Sequence, residues 1–288
     1  MSEGVGNKNY TQSIKIKKTI IFIICVLLSI ISLLPFWLTF VNASRTSSEI
    51  QGSLTLIPGS HLFENIKGVL ARKSELNIMQ GFRNSLFVST MVTACALLFA
   101  TATAYGLTVY QFKLRDAAFT FIMAIMMIPQ QVSIIGFYKL CSNLNILDNY
   151  AALILPSIAT PTIVFYMRQY MKGALSVSLV EAARIDGCNE FRTFFTIALP
   201  IMVPAVATQG IFAFITAWNN FFTPSIILSD KTKFTLPIQI GLMKSDQFRT
   251  DYGQVYSGVF MAMLPLIIVY ILLSKFIVEG VAAGGVKE

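Results

Sequence analysis

The stretch Ser178-Leu-Val-Glu181-Ala182-Ala183-Arg184-Ile-Asp186-Gly187 is a polar interruption in a strongly apolar sequence. Ser178 and Glu181 have the spacing of a capping box, in which two side chains bond the free backbone amides at the start of a helix. Gly187 is the residue type that ends a helix in the left-handed conformation. The stretch therefore predicts a short, capped helix that is exposed to water.

A second short helix is predicted directly after this one, because Asn189 is a favourable N-cap residue. Pro200 marks the end of that helix or a kink in it. Between these positions an apolar face is expected from Phe191, Phe194 and Phe195. A capped helix, a turn and a second helix in water predict a docking surface for a soluble partner.

The rest of the chain has the composition of a membrane protein. Of its 288 residues, 55% are hydrophobic and 12% are charged, and the mean hydropathy is +0.67. Soluble domains carry about 25% charged residues. Six segments lack Asp, Glu, Lys, Arg and His, namely 19–44, 84–112, 117–138, 149–167, 193–229 and 252–274. Each is close to or above the about 20 residues of a spanning helix. We predict an all-α integral membrane protein with six transmembrane helices and a cytoplasmic loop.

The first apolar segment could instead belong to a signal peptide, because Lys15, Lys17 and Lys18 resemble its basic region and 41–43 its cleavage site. However, the apolar stretch 19–41 is longer than the about 7–15 residues of a signal-peptide core. A membrane anchor is therefore the favoured interpretation.

The distribution of lysine and arginine sets the expected orientation, since cytoplasmic loops carry an excess of both. The amino-terminal tail, the turn after the second span and the polar loop are basic. The loop before the second span is basic too, but long loops translocate with less regard to charge. The net charge of +8 is thus attributed to the orientation of the chain in the membrane, with some attraction to anionic membrane lipid.

The expected organisation has five parts. They are a cytoplasmic tail at 1–18, a first transmembrane helix at 19–41, an extracytoplasmic loop at 42–83, a core of five transmembrane helices at 84–277 with the polar loop at 172–200, and a cytoplasmic tail at 278–288.

Several function classes find no support in the sequence. The four cysteines lack the spacing of a metal site or a disulfide framework, and the single histidine, His61, fits a solvated surface position. No Gly-rich phosphate loop is present, so ATP must bind to another subunit if transport is ATP-driven. The apolar segments lack the ionisable groups of an ion-driven transporter or an enzyme, and no basic helix outside them suits nucleic acid. We expect neither enzyme activity nor a metal or cofactor on this chain.

The spacing E-A-A-x3-G-x9-I-x-L-P, from Glu181 to Pro200, resembles the loop of permease subunits from binding-protein-dependent ABC importers. Within that family the chain is most similar to the carbohydrate branch, especially the maltose-type G permease. The resemblance extends from about residue 83 to the carboxyl end. Other matching pieces are Ile128-Pro129, Leu155-Pro156, Trp218-Asn219 and the tail 284–287.

The resemblance implies that the polar loop contains a coupling helix, which lies in a groove of an ATPase subunit and follows its closure. The coupling residues would be Glu181, Ala182, Ala183, Asp186, Gly187, Leu199 and Pro200. The tail residues Gly284, Gly285, Val286 and Lys287 would reach the ATPase dimer. This chain ends Lys287-Glu288 where the family often has a terminal glycine.

The same resemblance implies a set of partners in the bacterial plasma membrane. Two ATPase subunits would hold ATP and Mg, and a second homologous permease would complete the solute pathway. An extracytoplasmic solute-binding protein would deliver a sugar and contact the loop 230–251.

Candidate substrate-path residues lie in the fifth span. Trp218 could stack on a sugar ring while Asn219 and Asn220 bond its hydroxyls. The favoured interpretation is that Trp218 belongs to an interfacial aromatic belt and that the two amides hold helices together. Tyr166 is likewise expected to be an interfacial anchor rather than a ligand contact. Importer permeases for amino acids, peptides or another small solute share the loop and stay an alternative. An ion-coupled secondary transporter is a more distant one.

Overall fold

The computed structural model describes residues 3–72, 76–244 and 250–285, and the regular structure in these ranges is helical, with no strand. The α-helices in chain order are α1 Glu3–Ala43, α2 Ser47–Gly52, α3 Leu62–Ala71, α4 Ile78–Val109, α5 Arg115–Met126, α6 Ile134–Asn143, α7 Ala151–Ile154, α8 Pro161–Ala174, α9 Val177–Ile185, α10 Glu190–Thr193, α11 Leu199–Ile201, α12 Val203–Trp218, α13 Phe222–Ile227, α14 Leu236–Leu242 and α15 Tyr252–Gly285. The predicted all-α membrane fold is confirmed.

The count of spans differs from the predicted six. In the described residues four helical stretches are long and apolar enough to cross a membrane, namely 14–43, 78–109, 151–174 and 252–272. A fifth arises if the bent pair 190–201 and 203–218 forms one broken span. The expected third span at 117–138 is interrupted, because α5 ends at Met126 and Pro129 precedes the next helical turn.

Helix α4 lies at the centre of the larger structural unit, which comprises residues 72–245 and the chain from Met261 onward. Its small residues Ala96, Ala100 and Ala104 repeat at four-residue spacing and are fully or almost fully buried. They share a core with Met167 and Met171 of α8 and with residues of α12. Small side chains allow helices to approach closely in a membrane, which explains this packing.

A second structural unit comprises the chain through Ala71 and, among the described residues, 250–260, which include the start of α15. Here the Asn65 amide donates hydrogen bonds to the carbonyl oxygens of Ala43 and Arg45 at 2.8 and 2.9 Å. The Ser257 hydroxyl donates to the same Ala43 carbonyl at 3.1 Å. The end of α1 is therefore held by two polar side chains that satisfy its free carbonyl groups.

This unit also contains a polar cavity of about 450 Å³, lined by Thr46, Ser47, Ser48, His61, Glu64, Asn65 and Asp251. His61 Nδ1 lies 2.8 Å from the Glu64 carboxylate, and this hydrogen bond raises the pKa of His61. Among the described residues, no group of three or more His, Cys, Asp or Glu side chains could hold a metal ion.

Candidate functional site: the polar loop and its counterpart

The amino end of the polar loop differs from the prediction. Helix α9 has Ser176 as its N-cap, and that side chain makes no capping hydrogen bond. The hydroxyl oxygens of Ser176 and Ser178 lie 2.6 Å apart. The predicted capping box of Ser178 and Glu181 is therefore wrong, because the helix starts earlier and Ser178 already lies within its first turn.

The carboxyl end of α9 has the predicted glycine stop. Gly187 has φ +82°, the left-handed region that suits a residue without Cβ. Its N–H donates to the Arg184 carbonyl at 3.0 Å, and the Cys188 N–H donates to the Ala183 carbonyl at 2.9 Å. These two bonds form a Schellman motif, which ends the helix sharply and satisfies its last carbonyl groups.

The expected coupling residues of α9 lie on a two-sided helix. Val180 and Ala183 are buried, whereas Glu181 and Ala182 are exposed. Beyond them Asp186 and Gly187 are also exposed at the turn. The helix thus packs one face on its own chain and leaves the other face exposed.

Two apolar side chains are strongly exposed on this surface; Phe191 was part of the predicted apolar face, whereas Ile185 was missed by the sequence analysis. Ile185 is 87% exposed and Phe191 is 80% exposed. The only signal for Ile185 was its position between the charged residues Arg184 and Asp186. Because Phe194 is buried and Phe191 is not, the three phenylalanines do not form the single apolar face that was predicted.

The second helix of the loop begins as expected and then bends. The Asn189 side chain accepts a hydrogen bond from the Arg192 N–H at 2.8 Å, so Asn189 is the predicted N-cap of α10. A π-helical turn at Phe194–Ala198 follows, and the axes of 190–201 and 203–218 differ by 78°. Leu199 is half-buried and Pro200 exposed just before this bend.

A carboxylate in the loop gathers three side chains from two parts of the chain. Arg184 Nε donates to Glu190 Oε1 at 2.8 Å. The Tyr110 hydroxyl donates to Glu190 Oε2 at 2.5 Å, and the Tyr105 hydroxyl lies 3.4 Å from the same oxygen. The bond to Glu190 raises the pKa of Arg184. We call these four residues the carboxylate cluster; no sequence spacing predicted it.

The cluster is supported by aromatic packing. The Tyr105 ring meets the rings of Tyr110 and Phe194 edge to face, with centroids 6.0 and 5.4 Å apart. Edge-to-face pairs are favourable because the positive ring edge meets the negative ring face. Phe194 thereby fixes the start of the π-helical turn against the end of α4.

The opposite end of α4 holds a different loop. The Asn84 amide donates to the carbonyl oxygens of Thr232 and Phe234 at 2.8 and 2.9 Å. The Ser85 hydroxyl accepts from the Leu236 N–H at 2.8 Å. A Cβ on Gly81 would lie 3.0 Å from the Gln239 side chain, which packs closely against α4 at this point. We call this set the amide anchor.

An ion pair fixes the same loop from the other side. Lys233 Nζ lies 2.7 Å from the Asp148 carboxylate, and the N–H groups of Ser229 and Asp230 donate to Asp148 at 2.9 and 3.0 Å. The Asp230 N–H, the Lys233 ammonium and the Ser229 N–H together lower the pKa of Asp148 to about 2.

The candidate substrate-path residues are placed differently from one another. Trp218 is 1% exposed, and its Nε1 donates to the Ala262 carbonyl at 3.1 Å. Asn219 is exposed, and Asn220 is half-buried with its Oδ1 accepting from the Thr223 N–H at 3.3 Å. Tyr166 is half-buried on α8. The tryptophan packs in the protein interior, whereas Asn219 is accessible.

The carboxyl tail is described only in part. Helix α15 extends to Gly285 and so includes Gly284. Val286 and Lys287, the other two expected tail contacts, lie outside the described residues.

Long apolar helices around a structured polar loop define a multi-pass membrane protein, and the family match that follows makes it a transport subunit. The chain belongs to the family of binding-protein-dependent transport system inner membrane components, whose model matches residues 94–282. The resemblance drawn from the loop spacing is thereby confirmed.

Curated relatives cover most of the chain. The arabinooligosaccharides transport system permease protein AraQ of Bacillus subtilis (strain 168) is 36% identical over 264 residues, which are 91% of this chain and 92% of AraQ. The lactose transport system permease protein LacG of Rhizobium radiobacter is 31% identical, over 91% of this chain and 93% of LacG. The sn-glycerol-3-phosphate transport system permease protein UgpE of Yersinia pestis is 32% identical, over 86% and 90%.

A solved structure shares the fold. A chain of a bacterial ABC transporter involved in the import of the acidic polysaccharide alginate matches with a TM-score of 0.77 and 22% identity. The match covers 92% of this chain and 98% of that chain. At this level of identity the likeness is one of architecture.

Proposed function

We propose that this chain is a permease subunit of an ATP-driven sugar importer, in which α9 is the coupling helix. The observation that carries the proposal is the exposed face of α9, where Glu181 and Ala182 face outward directly before the sharp turn at Gly187. A helix with one face buried in its own chain and the other exposed fits a groove on a partner subunit.

The chemistry of this face favours a protein groove. Ile185 is 87% exposed and flanked by the charged residues Arg184 and Asp186, so it offers an apolar contact within a polar rim. Ala182 lets a partner approach the helix closely. Such a surface suits the cleft of an ATPase subunit that changes shape on binding ATP.

The mechanism is alternating access. ATP closes two ATPase subunits, α9 follows that closure, and the transmembrane helices of this chain and a second homologous permease open outward. A loaded extracytoplasmic binding protein and ATP each favour that state over the inward-facing one, which is what shifts the population. ATP and Mg are held by the ATPase subunits.

The orientation follows from charge. With basic residues in the amino-terminal tail and the polar loop, both termini lie in the cytoplasm of a bacterial plasma membrane. The five-part organisation given above, from the tail at 1–18 to the tail at 278–288, is part of this proposal. The amide anchor then lies on the outer side, where the loop 230–251 would meet the binding protein.

A saccharide is the proposed solute, since AraQ and LacG are permeases of arabinooligosaccharide and lactose systems. A polyol phosphate such as sn-glycerol 3-phosphate is the second candidate, because UgpE is 32% identical. The exposed Asn219 is the proposed solute contact of the fifth span, with Asn220 and Tyr166 beside the path. Trp218 supports the path from the interior by its bond to Ala262.

The test is ATP hydrolysis by the reconstituted complex of this chain with its partner permease, ATPase and binding protein. Arabinotriose, lactose, sn-glycerol 3-phosphate, an amino acid and a peptide serve as probes. Stimulation by a saccharide is expected. Stimulation only by the glycerol phosphate, the amino acid or the peptide would replace the sugar assignment, and failure of any ATPase subunit to associate would overturn the importer proposal.

A further inference from the structure

Helix α4 connects two loops that lie far apart. It has 32 residues from Ile78 to Val109, with no proline among them. At 1.5 Å per residue the helix is about 48 Å long, so Ser85 and Tyr105 are separated by about 30 Å. One end carries the amide anchor and the other the carboxylate cluster, both described above.

The carboxylate cluster ties α4 to α9 through side chains alone. Arg184 belongs to α9, Tyr105 lies in the last turns of α4 and Tyr110 caps it, and Glu190 accepts from all three. A carboxylate that receives several donors is held more firmly than one with a single partner, and charge-assisted bonds are the stronger ones. A displacement of α9 therefore reaches α4 through Glu190.

The part of α4 between its two ends is well packed. Ala96, Ala100 and Ala104 are at most 2% exposed, and they lie against buried methionines of the same core. Close-packed interiors transmit displacement because they have little free volume in which to absorb it. Bending α4 would also break helical hydrogen bonds, since no proline prepares a kink.

At the far end Asn84 and Ser85 hold the backbone of the loop before α14. The bonds run to Thr232, Phe234 and Leu236. Since the partners are main-chain groups, any movement of α4 carries the backbone of this loop with it.

We propose that α4 is a strut which passes the movement of α9 to the loop around Thr232, with Glu190 as its inner positioning residue and Asn84 as its outer one. The proposal rests on the proposed function, in that it takes α9 as the element that the ATPase moves. It assigns a role to Glu190, Tyr110 and Asn84, which lie outside the E-A-A spacing.

The experiment measures movement at the far end of the strut. In the full complex, with the four native cysteines replaced by alanine, Lys231→Cys is labelled with a maleimide, since Lys231 is exposed at the tip of the loop. The labelling rate is compared between the nucleotide-free complex and the complex trapped with Mg, ADP and vanadate. We expect the two rates to differ by about threefold or more.

Two substitutions disrupt the carboxylate cluster, which is the inner joint of the strut. Glu190→Ala removes the shared acceptor, and Tyr110→Phe removes one donor while keeping the ring. Both are expected to bring the two labelling rates close together while the ATPase still associates and hydrolyses ATP. Tyr170→Phe, which removes a half-buried hydroxyl elsewhere on α8, is the matched control and keeps the wild-type ratio.

The outcomes separate the strut from the function on which it rests. Equal rates in the wild-type complex, or unchanged ratios in both joint variants, would overturn the strut while the importer proposal stands. Loss of ATPase association in Glu190→Ala, with an unchanged ratio in Tyr110→Phe, would make Glu190 a docking residue and also overturn it. Absence of ATPase association in the wild type contradicts the importer proposal itself.

Discussion

The two ends of α4 hold their loops by different chemistry. At one end Glu190 binds side chains, two hydroxyls and a guanidinium. At the other end Asn84 binds two main-chain carbonyl groups, whatever side chains the loop carries. The amide anchor thus fixes a backbone shape, whereas the carboxylate cluster depends on the identity of each member. In the proposed importer, the loop that would meet the ATPase is therefore the one joined by the more selective set.

The largest effect is expected from a substitution that disrupts the turn of the polar loop, at the end of α4 that carries the carboxylate cluster. Gly187→Pro cannot adopt φ +82° and removes the N–H that donates to Arg184. The local cost is about 3 kcal/mol or more, which lowers the population of the native turn about a hundredfold. We expect uptake of the transported solute to be lost while the protein still inserts into membranes. Transport assays in proteoliposomes and membrane fractionation check this.

Two glycine-to-alanine substitutions separate the effect of backbone strain from the effect of the added side-chain volume. Gly187→Ala is strained by the positive φ by about 1–2 kcal/mol, although open space surrounds the position. Gly173→Ala meets equally open space in the helical backbone of α8. Reduced uptake is expected in the first variant only. Normal uptake by both Gly187 variants at normal expression would remove the turn from the coupling mechanism.

The second effect loosens the amide anchor. Asn84 is 5% exposed, so Asn84→Ala leaves the carbonyl groups of Thr232 and Phe234 without their buried donor. Both bonds are partly buried, and the loss of such a hydrogen bond costs about 0.5–1.5 kcal/mol. A lower thermal midpoint of the purified protein is expected, with greater protease cleavage in the loop. Asn143→Ala, at an exposed position, is the control and should change neither.

If Asn84→Ala matched the wild type in both midpoint and cleavage, the bonds to the loop backbone would contribute nothing to its order. The difference between the two ends of α4 would then have to lie elsewhere. A shift in the midpoint without increased cleavage would place the loss in α4 and not in the loop.

The sequence predicted the turn at Gly187 but neither of the two side-chain clusters at the ends of α4. Charge-free segments and the loop spacing indicate a helical membrane subunit with a turn at Gly187, because these features depend on composition and local conformation. The carboxylate cluster was not predictable, since Tyr110 and Glu190 are 80 positions apart in the sequence. Long-range pairs of this kind are set by helix packing, which leaves no local pattern.

Local patterns also failed to place two helix ends. The spacing of Ser178 and Glu181 suits a capping box, but the helix begins after Ser176, so the pair lies inside it. The uninterrupted apolar composition of 117–138 predicted one span, yet α5 ends before Pro129. In both cases the composition correctly predicted a helix but did not predict where the helix begins or ends. Helix ends depend on tertiary contacts and on proline geometry as well as on local sequence.

The smallest expected effect is a pH-dependent change in stability, which compares the charged contact of Asp148 with the neutral bonds of the amide anchor. Asp148 holds the same loop as the amide anchor, but by charge, and its pKa is lowered from 3.8 to about 2. A lowered pKa means that the carboxylate stabilises the folded protein above about pH 4 and that this contribution is lost as the pH falls toward about 2. Asp148→Asn is compatible with the backbone φ of +54°, since asparagine tolerates the left-handed region.

The thermal midpoint of Asp148→Asn is therefore expected to lie below that of the wild type at about pH 6, with the difference shrinking below about pH 4. Asp116→Asn, at a side chain that is 82% exposed, is the control and should show a smaller difference. A difference that stayed constant across this range would mean that the hydrogen-bond geometry of Asp148, and not its charge, holds the loop. The loop would then be fixed at both sides by neutral bonds, and the contrast with the charged cluster around Glu190 would become complete.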